Sequence, residues 1–332
     1  MLHILIQKTM HDQHIPGLAL AIQRGDDRLH EGYYGMVNQE HGIPVTAETV
    51  FEIASVTKLL TAQAVLLLVQ TGKVQLDEPI MTYLPNLPSA WNTITVRHCL
   101  AHQSGIPNYT SVETYNDHAR EAKSHEHLLD LVRDMPLNFP PGTRHAYDNT
   151  GFYLLGLLLE VVSGKPYGDF LKENILDPLG MTRTQVNNYD RIVPHRAQGY
   201  VYADGVLHNK PFYDTSNTFS AGILLSCACD LLLWRSSLFN DSILNAETRK
   251  LWWTPHLSLE GNERPHYTVG LGWFMLDDPV GRFYGHNGGI PGFATSFLYL
   301  PDTDVTAVLT CNTSFVTEPH KIALAAVQIL SD

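Results

Sequence analysis

The sequence predicts a mixed α/β (α+β) fold in which one antiparallel sheet is built from both ends of the chain. Three observations carry this reading. The chain opens with a helix followed by two strands, it closes with four strand-like runs and a helix, and its long middle is a succession of short helical patterns with little strand alternation. The expected arrangement is a sheet domain over 1–53 and 265–332, flanked by terminal helices. A large all-helical insertion over 54–264 completes one structural unit.

Taken in order, residues 1–13 read as a short amphipathic helix, ended before the Pro16-Gly17 punctuation. GLALAIQ (Gly17 to Gln23) and the run from Leu29 to Val37 flank RGDD, the pattern of a hairpin with Gly25 in its turn. After the β-branched and aromatic Val50, Phe51 and Ile53, a helix begins at Ser55. Its nearly continuous Leu, Val and Ala up to Val74 cannot all face one side, so it is expected to be buried all round. Gly72 reads as its stop, and Leu76 to Pro88 as a surface loop. From Thr95 to about Leu259, short helices are separated by Pro and Gly. Among them, Gly151 to Val162 is a single apolar helix closed by Gly164, and Pro166 suits the first turn of the next. The closing strands are Gly270–Leu276, Arg282–His286, Thr295–Leu300 and Val305–Cys311, followed by a helix from about Pro319 to Leu330. Repeats and low-complexity tracts are lacking.

Composition narrows the function. The chain has 332 residues, 44% of them hydrophobic, enough for a sizeable core. A formal charge of −12 without any Lys/Arg cluster argues against nucleic acid or an anionic membrane as partner and for a small molecule or short peptide. Four scattered cysteines read as free buried thiols rather than a disulfide framework. The apolar run Leu2 to Ile6 is too short for a signal peptide and no stretch reaches transmembrane length, so the expected chain is soluble and cytoplasmic, or periplasmic or secreted if a leader has been lost, with no membrane insertion. Oligomeric state is not legible.

Three motifs carry chemistry. Ser55 and Lys58 form the single SxxK of the chain, three residues apart on one helical face, so a hydroxyl and an amine meet at the helix entrance. A serine hydroxyl becomes a nucleophile when a desolvated lysine takes its proton, and the helix start adds backbone N–H groups where a carbonyl oxygen turns negative. The second motif is Tyr147-Asp148-Asn149, in a loop forced by Pro140-Pro141-Gly142 and set before the long apolar helix. A phenol near a lysine ammonium can shift toward phenolate and serve as a base. Tyr109-Thr110-Ser111 competes for that place but reads as the mouth of the cleft. The third motif is His286-Asn287-Gly288-Gly289 at a predicted strand end, where glycines let a substrate backbone lie alongside and free an N–H for an oxyanion; an Asn-Gly hairpin turn is the other reading. His125-Glu126-His127 invites a metal reading, but an i, i+2 pair faces apart on a helix and no HExxH follows.

In the order SxxK, YxN, HxG, the chain resembles the serine β-lactamase-like and penicillin-recognising hydrolases, especially class C β-lactamases, β-lactamase-fold esterases and D-amino-acid-specific amidopeptidases. IPGLALAI, LDEPI, CLAHQSGIP, FPPGT, SAGILLS, GLGW and GHNGGIPGF extend the resemblance over nearly the whole chain. It implies a β-lactamase/transpeptidase-like fold with Ser55 as nucleophile, Lys58 as its proton acceptor or electrostatic partner and Tyr147 as second acid/base. It further implies Asn149 orienting Lys58 and a substrate amide, His286 and Gly288 binding substrate, and the N–H groups of Ser55 and Gly289 as oxyanion hole. No metal or cofactor is required. His286 stands where these families usually carry a lysine that meets a substrate carboxylate. An imidazole of ordinary pKa, about 6.5, would attract such a carboxylate only in acid. The expected activity is therefore hydrolysis, through an acyl-serine, of a small ester, amide or D-amino-acid-containing peptide; a weak β-lactamase or DD-peptidase, and a non-catalytic binding protein on the same fold, are the alternatives.

Overall fold

The computed structural model describes residues 1–117, 119–258 and 267–331. At the N-terminus, helix α1 (Leu2–Asp12) leads into strands β1 (Gly17–Arg24) and β2 (Asp27–Asn38), the hairpin turning on Gly25 at φ +53°. The short strand β3 (Phe51–Glu52) precedes a single 3-10 turn, Ala54–Val56, and helix α2 (Thr57–Gln70). Ser55 thus lies in the turn before the α-helix rather than in its first residue. In α2, every side chain from Thr57 to Leu66 is buried, as the apolar run predicts. Its polar members are matched inside: Thr61 Oγ1 donates to Ser220 O, and Gln63 bridges the Ser237 hydroxyl and the Trp234 indole.

Helix α3 (Asn149–Ser163) ends in the left-handed Gly164, the residue type that adopts φ +69° without a Cβ clash. The segment after it is not purely helical. Strand β4 (Leu224–Ser226) pairs with β3 on one side and with Gln185–Val186 on the other, and Tyr200–Ala203 forms a hairpin with Val206–Asn209. Sequence alternation is too short in these pieces to register.

The C-terminal part supplies β5 (Phe274–Asp278), β6 (Gly281–Ile290), β7 (Phe293–Leu300), β8 (Val305–Cys311) and helix α4 (Pro319–Ser331). With them the nine-stranded antiparallel sheet runs Ile43–Pro44, β2, β1, β8, β7, β6, β5, Tyr267–Val269, Leu257–Ser258. Strands from the two ends of the sequence meet at β1 and β8, with Leu20 opposite Leu309. The predicted strand starting at Gly270 begins at Phe274 instead, because Gly270 to Trp273 turn back over α2, Gly272 at φ +86° with Ala62 beneath it. The predicted boundary at 264/265 lies outside the described residues.

Two cores flank the sheet. On one face, α1 and α4 bury Leu2, Ile6, Ile322, Leu324 and Val327 against Leu20, Leu298 and Leu309. On the other, Ala19, Ala21, Phe297 and Val308 join α2 and α3 in the larger core. The alternation of β1 distributes its side chains between these two cores.

Candidate active site

The seam between the sheet and the helical layer brings Ser55, Lys58, Tyr147, Asn149, His286 and Gly289 together. Ser55 follows Ala54, whose φ of +45° is a strained backbone for alanine. Neighbouring strands hold the turn: Ile53 N donates to Leu224 O at 3.0 Å, and Gly288 packs directly on the Ile53 carbonyl. A Cβ on Gly288 would meet that oxygen at 2.1 Å. Gly288 is therefore the contact face between β6 and the Ser55 turn and lines neither cavity beside Ser55. Gly289 lines both, and a Cβ there would meet nothing within 4 Å.

Lys58 is fully buried on the first turn of α2. Its Nζ lies 2.7 Å from Ala221 O, 2.8 Å from Asn149 Oδ1 and 3.1 Å from Ser55 Oγ. The Asn149 amide cannot turn over, because its Nδ2 donates to Thr110 Oγ1 at 2.9 Å while that hydroxyl donates to Asn108. Two Lys58 partners are thus acceptors only and take two N–H bonds. The third position of the nitrogen faces Ser55, as a proton in the ammonium or a lone pair in the amine. Burial drives the Lys58 pKa well below its ordinary value, opposed by the Asp148 charge.

Tyr147 is 37% exposed, yet its hydroxyl donates to Ser55 Oγ at 2.7 Å. Desolvation of that hydroxyl pushes its pKa up, with the hydrogen bond to Ser55 opposing. The phenol is therefore held neutral instead of shifting toward phenolate. Tyr109, the competitor, is buried and donates to Asn217 O at 2.7 Å. It belongs to the wall of the second cavity. Asp148 caps α3, accepting from Thr150 N at 2.7 Å, Gly151 N at 3.0 Å and the Ser104 hydroxyl at 2.8 Å. Burial nonetheless lifts its carboxyl to about 6.

His286 corrects one expectation. It lies inside β6, which continues to Ile290, with Asn287 opposite Ser296; the turn falls at Pro291-Gly292, Gly292 at φ +85°. The ring is 4% exposed, 4.8 Å from Phe274 and 6.0 Å from Tyr147 between centroids. Burial, aided by Lys58, pushes its pKa down to about 3, so it stays neutral throughout the range where an ordinary histidine titrates. Attraction of carboxylates in mild acid through a charged His286 does not follow from this structure.

Sequence reasoning did not find three further components. Ala221 supplies a carbonyl, which any residue could, and only the SAGILLS stretch marks the place. His102, at φ +55°, accepts from Asp148 N at 3.2 Å and packs 4.7 Å from the Tyr147 ring. Phe274 stacks on His102 and touches His286, closing an aromatic wall behind Tyr147. His125, of the candidate metal motif, spends Nδ1 on the Tyr153 hydroxyl at 2.6 Å. No group of three or more potential metal ligands occurs among the described residues, and no described helix is long and apolar enough to cross a membrane.

Comparison with known proteins bears on the family and the fold. A family model described as Beta-lactamase matches residues 3–330. Penicillin-binding protein 4* of Bacillus subtilis is 28% identical over 338 residues, covering 97% of this chain and 73% of the relative. Among solved structures, the octameric penicillin-binding protein homologue from Pyrococcus abyssi superposes with a TM-score of 0.88 at 28% identity, over 99% of this chain and 76% of the other. D-amino acid amidase from Ochrobactrum anthropi SV3, complexed with D-phenylalanine, gives 0.82 at 26% identity over 99% of both chains. With the fold, the ordered motifs and a family match across almost its whole length, this chain belongs to the beta-lactamase family.

Proposed function

We propose that the protein is a serine hydrolase that forms an acyl-enzyme on Ser55 and hydrolyses a small ester, amide or D-amino-acid-containing peptide. The observation that carries this reading is the set of partners around the buried Lys58 Nζ, namely Asn149 Oδ1, Ala221 O and Ser55 Oγ, and in the proposed resting state Lys58 is the neutral amine that burial favours. As a neutral amine it gives two N–H bonds to Asn149 and Ala221 and turns its lone pair to Ser55 Oγ, which also receives the Tyr147 proton.

In this scheme Lys58 takes the Ser55 proton as Oγ bonds to the substrate carbonyl carbon. Negative charge on the carbonyl oxygen is met by the N–H groups of Ser55 and Gly289. The bond to the leaving alcohol or amine then breaks, and the leaving group departs with a proton delivered by Tyr147, the phenol being replenished by the proton that Lys58 took. A water molecule adds to the acyl-serine, loses a proton to the same pair and restores Ser55. Asn149 fixes the amine, and the scheme calls on no metal or cofactor. A weak β-lactamase or DD-peptidase activity is the lesser reading, because a neutral imidazole at His286 offers no cation to a substrate carboxylate.

Intact mass measurement after incubation with a fluorophosphonate, penicillin and p-nitrophenyl esters tests the reading. We expect an adduct on Ser55 in the wild type, no adduct in Ser55→Ala, and turnover in that variant lower by several orders of magnitude. Near-normal hydrolysis by Ser55→Ala would overturn the serine mechanism.

A further inference from the structure

The loop that carries Tyr147 is held along its length by residues 102–105. Asn138, Gly142 and Ala146 donate their N–H groups to the carbonyls of Gly105, Gln103 and His102 at 2.8, 2.9 and 3.0 Å. Any residue type could supply those three acceptors. The bond on the other side of Tyr147 is different in kind: Asp148 N donates to Nδ1 of the His102 ring, 3.2 Å away, and only a side chain with an acceptor at that place can receive it. His102 thus grips the chain on both sides of Tyr147, once through its carbonyl and once through its imidazole.

An Nδ1 that accepts is a lone pair, so the proton of the neutral ring sits on Nε2, which is buried and has no partner among the described residues. A second proton would land on Nδ1 and break the Asp148 bond. Burial above all, with His145, Lys58 and His286 adding to it, drives the His102 pKa well below its ordinary value and keeps Nδ1 able to accept. The residue is 1% exposed and holds a φ of +55°, a strained backbone that persists where surrounding contacts over-determine it.

Tyr147 is only partly enclosed by rings, with His102, His286 and Phe274 at 4.7, 6.0 and 6.1 Å between centroids, while its hydroxyl reaches Ser55 Oγ at 2.7 Å. A turn of the adjoining peptide would swing the phenol off Ser55. We propose that His102 is a positioning residue, whose Nδ1 fixes the peptide between Tyr147 and Asp148 and so aims the phenol that protonates the leaving group. The inference rests on the serine hydrolase reading and adds to it the residue that holds its second acid/base in place.

Ethyl and p-nitrophenyl butyrate test it, since an alkoxide needs a proton to leave and p-nitrophenolate does not. His102→Phe keeps a ring and loses the acceptor. His102→Asn keeps an acceptor, Oδ1, near the place of Nδ1 and suits a positive φ, and His102→Gly suits that φ with neither ring nor acceptor. His102→Phe and His102→Gly should lower kcat/KM about a hundredfold for the ethyl ester, the loss expected when a catalytic group moves by about 1 Å, and by about tenfold or less for the p-nitrophenyl ester. His102→Asn should recover most of the ethyl ester rate. Tyr147→Phe should show the same selective loss, and adding His102→Phe to it should change the ratio of the two esters no further. Unfolding midpoints identify the folded variants, and His102→Gly carries the comparison if His102→Phe does not fold. Equal losses on both esters from a folded acceptor-free variant, a His102→Asn as impaired as His102→Gly, or a further change of ratio in the double variant would overturn the inference and leave the hydrolase reading standing. An unselective Tyr147→Phe would overturn proton delivery by Tyr147 and the inference with it. No turnover of either ester and no mass shift at Ser55 in the wild type would overturn the hydrolase reading as well.

Discussion

At the residue scale, the ionisation of Lys58 is set by two opposed terms: burial drives the proton off, and the Asp148 carboxylate draws it back. Asp148→Asn removes the second term while keeping a good helix cap. The acid limb of the kcat/KM profile, which in the proposed mechanism reports loss of the Lys58 amine by protonation, should therefore move to lower pH. A limb that stays in place or moves up would show that Asp148 does not face Lys58 electrostatically. Stability carries the same signature with its own sign. The Asp148 carboxyl titrates near 3.8 when unfolded and about 6 when folded, so its contribution is complete below the lower value and fades as pH rises through the upper one. Urea midpoints measured across that interval should lose this slope in Asp148→Asn. Ser55, Lys58 and Tyr147 were legible as candidates because spacing and a loop signal offer them and the order of the motifs resembles that of a known family; the structure brings the three side chains together. The depth of His286 was not legible, since the rings that desolvate it, Phe274 and Tyr147, come from separate segments.

Between elements, the decisive contact is β6 against the Ser55 turn. Gly288→Ala puts a Cβ within 2.1 Å of the Ile53 carbonyl, and backbone cannot yield as a side-chain tip can. The strand should be displaced, with a loss of about 1–3 kcal/mol in stability and about a hundredfold or more in kcat/KM, because an oxyanion donor carried by β6 moves with it. Gly289→Ala is the control, since its Cβ meets nothing within 4 Å and the fold should keep its wild-type unfolding midpoint. Equal damage from the two substitutions would mean that Gly288 is not the spacer. Asn287-Gly288 carries the signal of a hairpin turn, but pairing of Asn287, Gly288 and Gly289 with Ser296, Thr295 and Ala294 absorbs it into the strand. Local turn chemistry lost to a longer ladder.

For the whole molecule, the sheet depends on α4, the helix that follows β8. Ile322, Leu324 and Val327 of α4 are buried against the sheet, and covering each such side chain contributes about 1.5–3 kcal/mol. Their sum is comparable with the total stability of a typical protein, about 5–15 kcal/mol. Removal of residues 319–332 should therefore abolish cooperative unfolding and expose a dye-binding apolar face. A sharp transition in tryptophan fluorescence, read from Trp234, Trp252 and Trp273 at the centre of the opposite core, would contradict this. The architecture of the ends was visible in the sequence because each terminus shows its own strand and helix periods. The minor strands of the middle were not, being two to four residues long. The meeting of β1 with β8 also sets an order in time. On the ribosome β1 emerges long before β8, so throughout that interval β1 has a single partner and an open, apolar edge. Ser55 waits in the same way for Gly289. A nascent chain of this protein is thus sticky until β8 emerges, and the proposed hydrolysis cannot begin before β6 has left the ribosome.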